Sequence, residues 1–71
     1  MRNDVRERRA ETGETQADLA AAVGVTRQSI NAIERGRYDP SLDLAFALAD
    51  HFDCAIEDLF DPDAEGDGPE E

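Results

Sequence analysis

The sequence predicts an all-α fold of five short helices, and three observations lead there. Apolar residues recur at helical spacing, no run alternates convincingly enough for a strand, and glycines and Ser/Thr/Asp cap signals punctuate the segments. The third observation is the stretch QADLAAAVGVTRQSINAIER, Gln16 to Arg35. There a short helix, a Gly-centred turn and a second, polar-faced helix follow one another directly.

The first helix is expected from about Asp4 to Thr12, with Asp4 and Glu7 spaced as a capping box and Gly13 as its stop. Its apolar face is thin, with only Val5 and Ala10. The second follows Thr15, whose hydroxyl can cap the amide of Asp18, and ends at Val23 before Gly24. Ala20 stands where two helices would cross closely, and Gly24 where a left-handed turn is needed. The third follows Thr26 and runs to Arg35 before Gly36, with Val25 and Ile30 at the two positions of a hydrophobic staple. Asp39-Pro40 then forces an extended or turn segment. Ser41 caps a fourth helix, Leu42 to His51, whose Leu44, Ala45, Leu48, Ala49 and Phe52 share a face, and Asp53 takes the left-handed position after it. A fifth helix around Ile56 to Phe60 closes the core.

Residues 1–60 are thus expected to form one domain. Residues 61–71, DPDAEGDGPEE, hold no large apolar side chain and are expected to be a disordered acidic tail. One cysteine excludes an internal disulfide framework, and no Cys/His spacing suggests zinc or another metal. Cys54 reads as a packed, inert thiol, and His51 as a last-turn residue stabilised by the helix dipole, with no second ligand nearby in sequence. No apolar run is long enough to span a bilayer and the N-terminus has no signal-peptide core, so the expectation is a soluble, cytoplasmic protein with no membrane contact.

Eighteen acidic residues against seven basic ones give a net charge of −11, and every basic residue is arginine. An acidic surplus without lysine suggests adaptation to concentrated salt, as in a halophile, because hydrated carboxylates maintain solubility there. The split along the chain is sharper than the sum. Residues 1–37 hold seven arginines and six acids, whereas residues 38–71 hold twelve acids and no Lys or Arg.

If Ile30 and Ile33 face the core, Arg27, Gln28, Asn31 and Arg35 face outward. The DNA major groove admits one α-helix and presents base-specific donor and acceptor patterns. Arg27 can bridge guanine O6 and N7, and Gln28 can pair bidentately with adenine. Thr26 and Ser29, at the start of this helix, and Arg35 and Arg37, at its end, are candidates for phosphate contact.

These residues carry a resemblance. Arg9, Thr15-Gln16, Leu19-Ala20, Gly24-Val25-Thr26, Ile30, Ile33-Glu34, Gly36, Pro40-Ser41-Leu42 and the closing Ile56-Glu57-Asp58-Leu59-Phe60 are similar to the Cro/C1-type helix-turn-helix regulators of the xenobiotic-response-element (XRE) family. The similarity covers roughly Asn3 to Phe60. It implies a compact five-helix, lambda-repressor-like DNA-binding domain with its helix-turn-helix in helices two and three. It also implies base contacts near Arg27, Gln28 and Ala32, with Asn31 close by, and a phosphate contact from Gln16. By the same resemblance, Arg9 and Glu34 form a partly buried salt bridge between helices one and three. Arg8 and Glu14 depart from the pattern by replacing apolar residues, Ala55 by replacing a Ser or Thr cap, and Asp53 by replacing Gly.

The function expected is a sequence-specific transcriptional regulator of double-stranded DNA, a repressor acting by promoter occupancy, working as a homodimer on a palindromic site. No cofactor or small-molecule effector is expected. The alternative is an interaction module, such as an antitoxin, whose acidic C-terminal half binds a basic protein. An enzyme is the third class and is not expected, since no nucleophile, base and orienting group can be assembled from these residues.

Overall fold

In the computed structural model, which describes residues 2–61, the order is β1 (Arg2–Asn3), α1 (Val5–Thr12), α2 (Gln16–Val23), α3 (Arg27–Glu34), α4 (Leu42–His51), α5 (Ile56–Leu59) and β2 (Phe60–Asp61). Each helix is shorter than the length at which an isolated helix holds in water, so caps and packing must supply what propensity does not. Thr15 and Asp18 form a reciprocal box. The Asp18 N–H donates to the Thr15 hydroxyl, and the Thr15 N–H donates to the Asp18 carboxylate, both at 3.0 Å. The Thr26 hydroxyl accepts the Ser29 N–H at 3.1 Å, and the Ser41 hydroxyl accepts the Leu44 N–H at 3.2 Å. Gly24 closes α2 at φ 80°, and the amides of Gly24 and Val25 both return to the Ala20 carbonyl. Asp53 takes the left-handed position expected of it, at φ 57°.

The core draws Val5, Leu19, Ala20, Ile30, Ile33, Ala45, Leu48, Ala49, Leu59 and Phe60 from all five helices and β2. Burying each of the large side chains is worth about 1.5–3 kcal/mol against leaving it in water. Val25 is half-buried against the cluster that contains Ile30, as the staple requires.

Four expectations need correction. Asp4 does not cap α1 with its side chain, and no box with Glu7 forms. Instead Asn3 Oδ1 accepts the Val5 N–H at 3.2 Å, while Asn3 Nδ2 donates to the Ile33 carbonyl at 2.8 Å. This one amide fixes the start of α1 and ties it to the end of α3. Ala10 is exposed, so α1 enters the core through Val5 alone. The helical fold carries a small addition, an antiparallel pair in which Arg2 faces Asp61 and Asn3 faces Phe60. Phe60 therefore belongs to β2 rather than to α5, and Asp61 is paired rather than heading a tail. The rest of the expected tail, residues 62–71, lies outside the described residues. The third helix also stops one residue short of expectation, with Arg35 as its C-cap.

Candidate nucleic-acid interface

The aim of α3 follows from its inner face. Ile30 and Ile33 have no exposed surface, and the small Ala20 of α2 is buried beside them, so α3 is fixed in rotation and position. That rotation leaves Arg27 and Gln28 exposed, with Arg37 exposed just past Gly36. Arg27 is the first residue of α3, and the first turn holds no acid. A cation there opposes the helix dipole by about 0.3–1 kcal/mol, so this end of α3 is arranged at some cost to the helix itself.

Beside this face, α1, the start of α2 and the end of α3 enclose a cleft of about 250 Å³. It is lined by Arg6, Arg9, Gln16, Asn31, Glu34 and Arg35. At its centre the Glu34 carboxylate accepts three hydrogen bonds: from Arg9 Nε at 2.8 Å, from Arg9 Nη2 at 3.2 Å and from Gln16 Nε2 at 3.0 Å. Arg9 Nη1 donates to the Glu14 carbonyl at 2.9 Å. Only 17% of the Arg9 side chain and 4% of the Glu34 side chain remain exposed. The hydrogen bond to Glu34 raises the Arg9 guanidinium above its ordinary pKa, outweighing the lowering by burial, and the charges of Glu34 and Glu14 act in the same direction.

The structure sorts the candidate residues into groups. Arg27 and Gln28 stand on the open face of α3, whereas Asn31 is half-buried and lines the cleft with Arg35 and Gln16. The Gln16 side chain, marked for phosphate, already gives one amide hydrogen to Glu34. Thr26 and Ser29 are held together by the cap and by a hydroxyl pair at 3.1 Å. Arg9 and Glu34 form the bridge that the resemblance implies.

Sequence reasoning missed Arg6 in the cleft and the exposed ring of Tyr38 beside Arg37. Helical spacing puts Arg6 one turn from Arg9, a signal that could have found it. It also missed the partner of His51, whose Nε2 lies 2.8 Å from Glu14 Oε2. Glu14, standing where an apolar residue is usual, thus joins the α1–α2 turn to the end of α4 by a polar contact. Cys54 is half-buried against the core, and no group of side chains able to hold a metal occurs among the described residues. No helix among them is long and apolar enough to cross a membrane.

Residues 5–59 match the Helix-turn-helix family. An HTH-type transcriptional regulator of Methanocaldococcus jannaschii is 53% identical over 60 residues, covering 84% of this chain and 91% of that protein. The restriction-modification controller protein C.AhdI of Aeromonas hydrophila superposes with a TM-score of 0.72 at 34% identity, covering 79% of this chain and 85% of that one. The P22 c2 repressor, solved in complex with a synthetic operator, also superposes at 0.72, with 30% identity and coverage of 75% and 80%.

Proposed function

The chain belongs to the helix-turn-helix family, and on that footing we propose that it is a DNA-binding transcriptional regulator that reads the major groove with α3. The observation that carries this reading is the contrast between the two faces of α3. Ile30 and Ile33 are sealed in the core, while Arg27 and Gln28 stand free beside a first turn without any carboxylate. Arg27 and Gln28 are the base readers, and Ala32 offers a thymine methyl only its own methyl group. Thr26, Ser29, Arg35 and Arg37 flank them as phosphate contacts, and Gln16 and Asn31 approach from the cleft. A selection from randomised DNA tests the assignment. Arg27→Ala and Gln28→Ala must each relax preference at their own base positions, and an unchanged preference refutes it.

An eight-residue helix reads only a few base pairs, so the regulator acts as a homodimer on a palindromic site, as a repressor occupying a promoter. Leu42 and Phe46, one turn apart on α4 and 67% and 55% exposed, offer a second copy an apolar surface. Sedimentation of Phe46→Ser tests this surface, since the variant must shift the dimer toward monomer. The second reading, docking of a basic protein, is favoured by the lack of any Lys or Arg after Arg37. The same carboxylates support work in concentrated salt, where screening relieves their mutual repulsion. The melting temperature must then rise between about 0.1 M and about 2 M KCl.

A further inference from the structure

We propose that the cleft between α1 and the helix-turn-helix seats one phosphate of the DNA backbone, with Arg6 as its ligand from α1. This rests on the DNA-reading assignment above and extends it to a helix outside the motif. Glu34 is the one carboxylate lining the cleft among the described residues. Its charge is matched by Arg9, and its oxygens are occupied by Arg9 and Gln16. What remains is two exposed guanidinium groups, those of Arg6 and Arg35, neither in an ion pair among the described residues. The Asn31 amide and the second amide hydrogen of Gln16 add neutral donors. A pocket with a doubly cationic rim, a neutralised floor and several donors has the chemistry of an anion seat.

Its place in the fold says which anion. A helix of eight residues is about 12 Å long, and the major groove is about 8.5 Å deep. If α3 enters by its N-terminal end, its last turn is left at the level of the phosphates, where Arg35 and the cleft lie. The Arg9–Glu34–Gln16 bonds hold α1 against α3, so Arg6 arrives there on a rigid element rather than on a loop.

The test measures binding to the operator chosen by the wild-type chain, by fluorescence anisotropy over a range of KCl. Arg6→Ala must weaken binding about tenfold at low salt. It must also lower the log–log salt slope by about 0.9 while leaving base preference intact. Arg6→Lys must keep the slope and recover part of the affinity, because phosphate accepts a point charge as well as a fork. Arg2→Ala, an equal change of charge in β1, must leave the slope unchanged. Neutral methylphosphonates placed singly along the operator locate the contact. One position must weaken the wild type yet leave Arg6→Ala indifferent. Arg6 is exposed, so its loss leaves the fold intact, and a melting curve verifies that. A wild-type slope in Arg6→Ala, or undiminished sensitivity to every methylphosphonate, overturns the phosphate seat alone. A wild-type chain with no base preference overturns the DNA reading together with it.

Discussion

Replacing Arg9 by alanine tests whether the Arg9–Glu34 pair holds α3 in place. The substitution strips the buried Glu34 carboxylate of two of its three donors and leaves the Glu14 carbonyl without Arg9 Nη1. Removing one partner of a buried ion pair costs about 3–5 kcal/mol. Since Arg9 keeps 17% of its side chain exposed, water can reach the vacated space, and the lower end, about 3 kcal/mol, is the expected loss. A domain of this size is stable by only about 3–9 kcal/mol, so the variant forfeits a large share of its stability. With a urea m-value near 1 kcal/mol/M, the midpoint of a circular-dichroism titration must fall by about 3 M. The double variant Arg9→Met with Glu34→Met must recover nearly all of it, because an apolar pair leaves no stranded charge. A burial argument also requires the coupling to persist at about 1 M salt, where an exposed pair is screened away. The reasoning fails if Arg9→Ala costs less than about 1 kcal/mol, the range of exposed pairs, or if the coupling vanishes in salt.

Gly24→Ala places a side chain at φ 80° where nothing lies within 4 Å of the added Cβ. The cost is therefore backbone strain alone, about 1–2 kcal/mol in thermal unfolding, and Gly24→Asn must cost less; a loss far above this range means a collision that the geometry denies. The Asp18 carboxyl titrates below its ordinary range because the Thr15 N–H, and after it the Thr15 hydroxyl, bond its charged form. A depressed folded-state pKa gives a contribution present above the unfolded pKa and lost as pH falls through the folded one. Carboxyl NMR must show the low pKa, and Thr15→Val must return part of the shift but not all, since the larger cause is the backbone amide.

The middle of the chain was legible because its signals are local. Thr15 meets Asp18 three residues on, Ser41 meets Leu44 at the same spacing, and Gly24 and Asp53 turn the chain at single positions. The ends were not. Asp4 and Glu7 had the spacing of a box, but Asn3 won the start of α1 by reaching Ile33, thirty residues away. Two-residue strands pairing Asn3 with Phe60 cannot display an alternating pattern. The open face of α3 was readable from the period of Ile30 and Ile33. The Arg9–Glu34 bridge spans 25 residues and came from resemblance, and the engagement of Gln16 by Glu34 had no signature in spacing at all.

One local rule is broken where DNA reading would require it. Glu7, Asp18, Asp43 and the pair Glu57 and Asp58 put an acid into the first turn of α1, α2, α4 and α5, yet α3 has none. In a chain with eighteen acids and seven arginines, the end of the helix aimed outward is the one left without a carboxylate. Stability alone would favour the reverse, because Ser29→Glu would complete a capping box with Thr26 and match the helix dipole for about 0.3–1 kcal/mol. Ser29→Glu must therefore raise the melting temperature while weakening operator binding at least about tenfold, since a like charge is brought against phosphate. The opposite signs matter more than either magnitude. A variant that gains stability and binds DNA as before would mean that this end of α3 does not face the backbone.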